Sequence, residues 1–526
     1  MTPTGRLLTA FLLAGAPAVA VAQWRPEERV VIGDFSHVTA IAASPSLVFA
    51  ATTQGLIIYD RQARTWRLPV TSADGYPAFV RVALADVTEN AVWLGTADGW
   101  ARYDADARVW QVGVAPGGVG GLMLDASDPV SGIYLQTATG WGFLPRGGFA
   151  PVAGHPLPPP NRRIAPLTSD AAFALAPAAD ALRALILTDA RLRTSRFTCA
   201  ARTPDQSDIF LGTWGMGIVR MDAMTAEWER LSFGLLAGGA GGLATDGDGI
   251  WIASVAGVGR GNGRRGLTWL RSDLSADSTV EGSGVQGIDC LDGRRVLVND
   301  RGIWIACERG VAQVDLVSGR SRLFDATHGL PSGDALSLAP APDGVWVGTA
   351  RGLAMIARND LVATVGTLSQ PVYALAAVHD SLWVGSASGL GLVLPGSSDV
   401  VVPPDIQDQP ALHAAIAGVA LVGDTLAVAT ADQLGWRDPA THGWTFTHTR
   451  LDLGGVTTLA GDAGGAWIGG TSGLAFWDFK RGHFHTLHVP FDIPAGVRDL
   501  AVQSSYLWVS GDSGVVRFAR DAARGR

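Results

Sequence analysis

Trp346-Val-Gly-Thr-Ala-Arg-Gly-Leu353 is the phrase that decides the fold, because variants of it return through nearly the whole chain. They read Leu47-Val-Phe-Ala-Ala-Thr-Thr-Gln-Gly-Leu56, Val92-Trp-Leu-Gly-Thr-Ala-Asp-Gly-Trp100 and Ile209-Phe-Leu-Gly-Thr-Trp-Gly-Met-Gly217. Further on come Leu382-Trp-Val-Gly-Ser-Ala-Ser-Gly-Leu390 and Ala466-Trp-Ile-Gly-Gly-Thr-Ser-Gly-Leu474. A period of roughly forty residues marks an array built from one supersecondary unit.

Each unit follows one plan. An alternating apolar stretch such as Ala335-Leu-Ser-Leu-Ala339 runs into a turn such as Pro342-Asp-Gly344. The Trp-bearing strand follows, then a Thr-x-x-Gly turn, a third strand and a more polar fourth stretch such as Glu227-Trp-Glu-Arg-Leu231. Short alternating strands joined by Gly-bearing turns predict an antiparallel meander. The glycine of Thr-x-x-Gly is expected to supply positive φ at the reversal. A lone four-stranded sheet cannot bury both faces, whereas a closed ring of such sheets can, so the fold class is all-β, built of tandem β-propellers with four-stranded antiparallel blades.

The bulky residues of the phrase fall at Phe49, Trp93, Tyr134, Phe210, Trp251, Trp304, Trp346, Trp383, Ala427, Trp467 and Trp508. The interval from Tyr134 to Phe210 is close to twice the period. Its middle, Ala172-Phe-Ala-Leu-Ala, is read as a degenerate unit anchored at Phe173, with a long insertion as the alternative. That brings the expected count to about twelve blades. The spare strand Glu28-Arg-Val-Val-Ile-Gly33, with the absent fourth strand after Gly514-Val-Val-Arg-Phe518, predicts closure by pairing the two ends. The polar stretch from Ser272 to Ser283 is read as a linker. The expected division is therefore a first β-propeller over 23–271 and a second over 284–526, six blades each, with 28–34 completing the last blade; seven plus five is the next choice.

Composition narrows the function. The chain has 526 residues with 47% apolar and 17% charged, a net charge of −8 and no basic run, which argues against a nucleic-acid partner. Residues 1–22 read as a signal peptide, with Arg6, the apolar run Leu7 to Ala16, and Ala20-Val-Ala22 before the cleavage point. No later run is long enough for a membrane span. The mature chain is expected in the periplasm or outside the cell, where a disulfide between Cys290 and Cys307 can form and Cys199 is left over.

Motif by motif, the chemistry is sparse. His483-Phe-His485-Thr-Leu-His488 puts alternate histidines on one face of an outer strand, a pattern weighed as a metal site and read as solvated. Asp246-Gly-Asp-Gly249 is a hairpin turn rather than a calcium loop, and Gly257-Val-Gly-Arg-Gly-Asn-Gly263 lacks the helix a phosphate site needs. No cofactor and no metal is expected. The turns between second and third strands, with the loops between units, should gather at one mouth of each channel. There the candidate ligand-binding residues are Asp98, Trp214, Met216, Glu308, Arg309, His328 and Arg351.

The Trp-[Ile/Val]-Gly-Thr-x-x-Gly-Leu phrase, preceded by His328-Gly-Leu-Pro-Ser332, resembles the two-component regulator propeller repeat. The resemblance spans residues 28–518 as a pattern and implies paired periplasmic propellers that detect glycans. Those sensors usually carry seven blades per ring and continue into an immunoglobulin-like domain, a membrane span and a kinase, none of which is expected here. The chain is also similar to the propeller part of a type IX secretion accessory protein. The function expected from all this is an exported, non-catalytic sensor-like or scaffold protein binding a cell-envelope glycan, peptide or protein. The alternative is a propeller-based enzyme, such as a polysaccharide or ester-ring lyase, with its site at a channel mouth.

Overall fold

The computed structural model describes residues 24–525 except 176–182, 189–193, 256–265, 275–276, 282–287, 289, 291, 367 and 450. The expected signal peptide and the Gly257–Gly263 stretch lie outside the described residues. Within them the chain is a tandem β-propeller of eleven antiparallel sheets.

Seven of these sheets close a ring. Their innermost strands are Gly239–Asp246, Arg295–Asn299, Ala335–Ala341, Val372–Val378, Gly418–Val422, Val456–Asp462 and Val497–Val502. Each lies beside the next, and the last lies beside the first. The final sheet takes its fourth strand from the other end of the chain: Arg29–Ile32 pairs with Gly514–Ala519, Arg29 opposite Phe518 and Ile32 opposite Val515. Trp24 extends the seal by packing on Phe518 and donating its indole N–H to Asp492.

The remaining four sheets form a shorter array. Its inner strands Phe197–Arg202, Val38–Ala43, Val80–Ala85 and Gly121–Asp125 lie side by side in that order. An extended segment spans the remaining gap, with Ile164 opposite Leu124 at one end and Leu167 bridged to Ala200 at the other. The degenerate unit expected at Phe173 is a helix, Ser169–Leu175, not a strand. Its Ala-Ala-Phe-Ala-Leu run alternates like a strand but holds four strong helix formers, three Ala and one Leu, and no β-branched residue, and Asp170 sits favourably in the first turn. Phe173 is buried against Phe197, filling the face of the 197–231 sheet that a further blade would cover.

Two differences from the expected layout follow. The ring holds seven sheets rather than six, and the crossover lies at residues 231–239 rather than at 272–283. Asp277–Glu281 is not a linker but the fourth strand of the 239–281 sheet, paired with Gly266–Leu270. The glycines of Gly239-Ala-Gly-Gly242 decide which array this sheet joins. A Cβ on Gly241 would stand 1.8 Å from the Gly293 carbonyl, so only glycine lets this strand nestle against its ring neighbour, where the Gly242 N–H bonds Gly293. The chain crosses between arrays twice, at 33–38 and 231–239. These crossings run together: Leu235 donates to the Gly33 carbonyl and Phe35 stacks on Phe233. One apolar cluster, including Phe210, Phe233, Leu243, Ile250 and Trp508, continues from one array into the other.

The repeated phrase acts as a pair of staples. In its turn, the hydroxyl of Thr52, Thr96, Thr349 or Ser386 donates to the carbonyl of the glycine three residues on. That glycine has positive φ at Gly352 (127°), as expected, but not at Gly99. What the two share is crowding: a Cβ would meet the Leu368 carbonyl at 2.2 Å and the Gly113 carbonyl at 2.0 Å respectively. In its strand, the indole N–H of Trp251, Trp304, Trp467 or Trp508 donates to a side chain five residues earlier, at Asp246, Asn299, Asp462 or Gln503. Asp246 in the calcium-like stretch is thus the indole's partner.

Candidate functional site

Because every inner strand of the ring begins at the same end, the residues at those starts converge. They enclose a cavity of about 450 Å³ to which all seven sheets contribute. Gly241, Leu336, Ala417 and Val497 keep parts of the wall small and apolar, while Asp292, Arg294, Arg295, Tyr373, Thr457 and Arg498 bring polar groups to it. Such a concave, largely apolar wall with a few converging polar groups has the form of a ligand site.

The charged residues form an alternating belt. Arg498 donates from Nε to Asp512 (2.6 Å) and from Nη1 to Asp292 (3.2 Å). Asp292 also accepts from Arg294 Nε (3.2 Å), and Arg294 reaches on to Asp334. Burial works against the charge of Arg294, but Asp334 and Asp292 more than offset it and raise its pKa. Arg498 and Asp292 come from either side of the 239–281 sheet, so the belt ties the last sheet across it to the 295–324 sheet and, through Asp334, to the 335–365 sheet, and fixes guanidinium groups at the rim.

Beneath the belt, Arg295 pairs with Asp499 at 3.2 Å. Asp499 is buried and accepts the backbone N–H groups of Leu243 and Leu500, each at 2.9 Å. Burial pushes its carboxyl above the ordinary value, with Arg295 and those two amides pulling the other way. Arg295 lines the cavity, and Asp499 joins both it and Leu243 of the 239–281 sheet to the last sheet.

The sequence-derived candidates divide between the two arrays. Glu308, Arg309, His328 and Arg351 belong to the ring. Glu308 lies at the mouth, where its carboxylate accepts the Asp292 N–H at 2.9 Å. Arg309 and Arg351 are exposed on second-to-third strand turns. His328 sits in the loop before the 335–365 sheet, its Nδ1 2.9 Å from Asp325. Asp98, Trp214 and Met216 belong to the shorter array. Trp214, 40% exposed, has the Arg196 guanidinium 5.5 Å from its ring centre and the edge of His37 at 5.1 Å. His37 in turn faces Asp34 at 3.5 Å. Asp98 is exposed on its turn. Met216 is only 7% exposed, because its turn is one residue longer: Thr213 bonds the carbonyl of Gly217, four residues on.

The cavity-lining arginines, Tyr373 and Thr457 were not singled out from the sequence, since they lie at strand starts outside the repeated phrase. The signal available was the paired Arg294-Arg295, with Arg498 at the corresponding entry of the last unit.

No family model matches the chain, and no curated protein matches it. Among solved structures, the extracellular domain of the hybrid two component system BT3049 from B. thetaiotaomicron aligns at 14% identity and TM-score 0.44, over 93% of this chain and 69% of that one. The extracellular domain of the one component system BT4673 from the same organism aligns at 13% identity and TM-score 0.36, over 92% and 70%. Virginiamycin B lyase from Staphylococcus aureus aligns at 12% identity and TM-score 0.42, over 53% of this chain and 94% of that one. Among the described residues, no helix is long and apolar enough to cross a membrane.

Proposed function

We propose that the chain is an exported, non-catalytic binding protein of the cell envelope that takes an acidic glycan or acidic peptide segment at the mouth of the seven-sheet ring. The observation that supports this reading is the cavity itself: Arg294, Arg295 and Arg498 are among its lining residues, with Asp292 and Tyr373. Arginine presents a planar fork suited to carboxylates, and a tyrosine ring offers an apolar face for a sugar or side chain. The guanidinium groups are held by Asp292, Asp334, Asp499 and Asp512 before any ligand arrives, which lowers the cost of ordering on binding.

The test is a thermal-shift and calorimetric screen of neutral and uronate-containing oligosaccharides and acidic peptides. Acidic ligands should stabilise the protein and bind more weakly at high salt. Arg498→Gln and Tyr373→Ala should each weaken binding at least about tenfold, as expected for lost charge-assisted and stacking contacts. Stabilisation by neutral ligands only, or affinity indifferent to both substitutions, sinks the proposal. Turnover of a bound polysaccharide in the same screen would favour the lyase reading instead.

A further inference from the structure

We infer that His483 and His485 form a two-histidine site for a divalent metal of tetragonal preference, Cu(II) or Ni(II), on the outer strand of the 456–488 sheet. Strand alternation puts the two side chains on one face, with His488 on the other. Their Nε2 atoms stand 2.8 Å apart, in hydrogen-bond contact, and their ring centres 4.5 Å apart.

The same two separations also suit a shared metal ion. Two imidazoles at right angles about a common point ~2.0 Å from each nitrogen have nitrogens about 2.8 Å apart and ring centres about 4.5 Å apart. Tetrahedral coordination spreads the same nitrogens to about 3.3 Å and the ring centres to about 5.1 Å. The observed pair fits adjacent corners of a square-planar or octahedral site, the arrangement Cu(II) and Ni(II) favour with nitrogen ligands. Asp478 stands directly across from His483 in the strand ladder, adding negative charge to the same face. His483 is exposed and His485 half-buried, so water can complete the coordination. The site lies on the perimeter of the ring, apart from the channel mouth, and does not depend on the ligand proposed there.

The test uses untagged mature protein titrated with Cu(II) and with Ni(II) by calorimetry, alongside electron paramagnetic resonance of the Cu(II) form. The expected result is about one ion per chain, with a tetragonal spectrum showing coupling to nitrogen. His483→Ala and His485→Ala should each weaken binding at least about tenfold, while His488→Ala leaves it unchanged. Circular dichroism checks that each variant keeps its strands. No saturable binding below about 100 μM overturns the site. So does affinity that survives both the His483 and His485 substitutions, or that falls equally with His488→Ala.

Discussion

The seven-sheet ring and the four-sheet array begin from the same repeated phrase and solve closure differently. The ring closes sheet against sheet, with Arg29–Ile32 borrowed from the far end of the chain to finish the last one. The array leaves a gap, spanned by a single extended segment and filled by the helix bearing Phe173. In the ring, the anchor-strand indoles of Trp304, Trp467 and Trp508 are fully buried, and that of Trp346 is half-buried. In the array the anchor Trp93 is buried as well, while the turn after Asp208–Thr213 displays Trp214 to solvent. The difference teaches that a propeller repeat sets the blade, while the inner-strand residues and the chain ends set how many blades share a circle.

The comparison can be broken most severely at the chain ends. Deleting residues 24–33 removes four ladder pairs and the buried Trp24, Val30 and Ile32. This should cost the ring on the order of 5 kcal/mol or more. Hydrogen exchange should then show Gly514–Ala519 losing protection while the 80–114 sheet keeps its own. Equal loss in both would mean that the two arrays unfold as one unit.

Next in size is a pair of tryptophans. Trp467→Ala in the ring should cost about 3–5 kcal/mol, because the surrounding sheets cannot collapse into the space left. Trp214→Ala, on the array's exposed turn, should cost less than about 1 kcal/mol. Urea denaturation measures both, and similar costs would erase the contrast drawn between the arrays.

The disulfide sharpens the same contrast. Cys290 and Cys307 are bonded across a separation of 17 residues, joining the approach to the 295–324 sheet to the end of its second strand. Reduction, or Cys290→Ala with Cys307→Ala, should destabilise the ring by about 3 kcal/mol through release of that loop. Array resonances or exchange rates should hardly move. Cys199, the remaining thiol, lies in the array, where burial pushes its pKa up to about 11 and it should react slowly until unfolding.

The smallest effect concerns acid. Hydrogen bonds from Thr327, then His328, hold the Asp325 carboxyl down at about 2 in the ring's 325–330 loop. Its folded value lies below the unfolded one of about 3.9, so the stabilisation is complete above that pH and fades as pH falls through about 2. A carboxyl-carbon NMR titration of Asp325 should show that low midpoint, and Thr327→Ala should move it upward. A midpoint near 4 in the native protein would discard the capping arrangement.

Much of this was legible from residues alone. The Trp-x-Gly-Thr-x-x-Gly phrase specified the second strand, its turn and the third strand in most of the sheets. The unpaired Glu28–Gly33 and the unfinished last unit specified the seal. Phe173 misled because alternation was read without regard to β-branching: an alanine-rich alternating run is equally compatible with a helix once one face can pack. Ser272–Ser283 misled because a polar stretch is also compatible with the fourth strand of a sheet, here Asp277–Glu281. The site was harder to see than the fold. Asp292 with Arg294, Tyr373, and Arg498 come from three different units and meet only because the ring brings every inner-strand start to one mouth.

By itself, then, the sequence determined the repeating sheet, its internal staples and the pairing of its ends, since those rest on contacts within about forty residues or on one complementary strand. The tertiary structure decided the size of the circle, the array each sheet joins and the grouping of charges around the channel. Those depend on how closely neighbouring inner strands approach, and at Gly241 and Gly242 that approach turns on the absence of a single carbon atom, which a local pattern does not record.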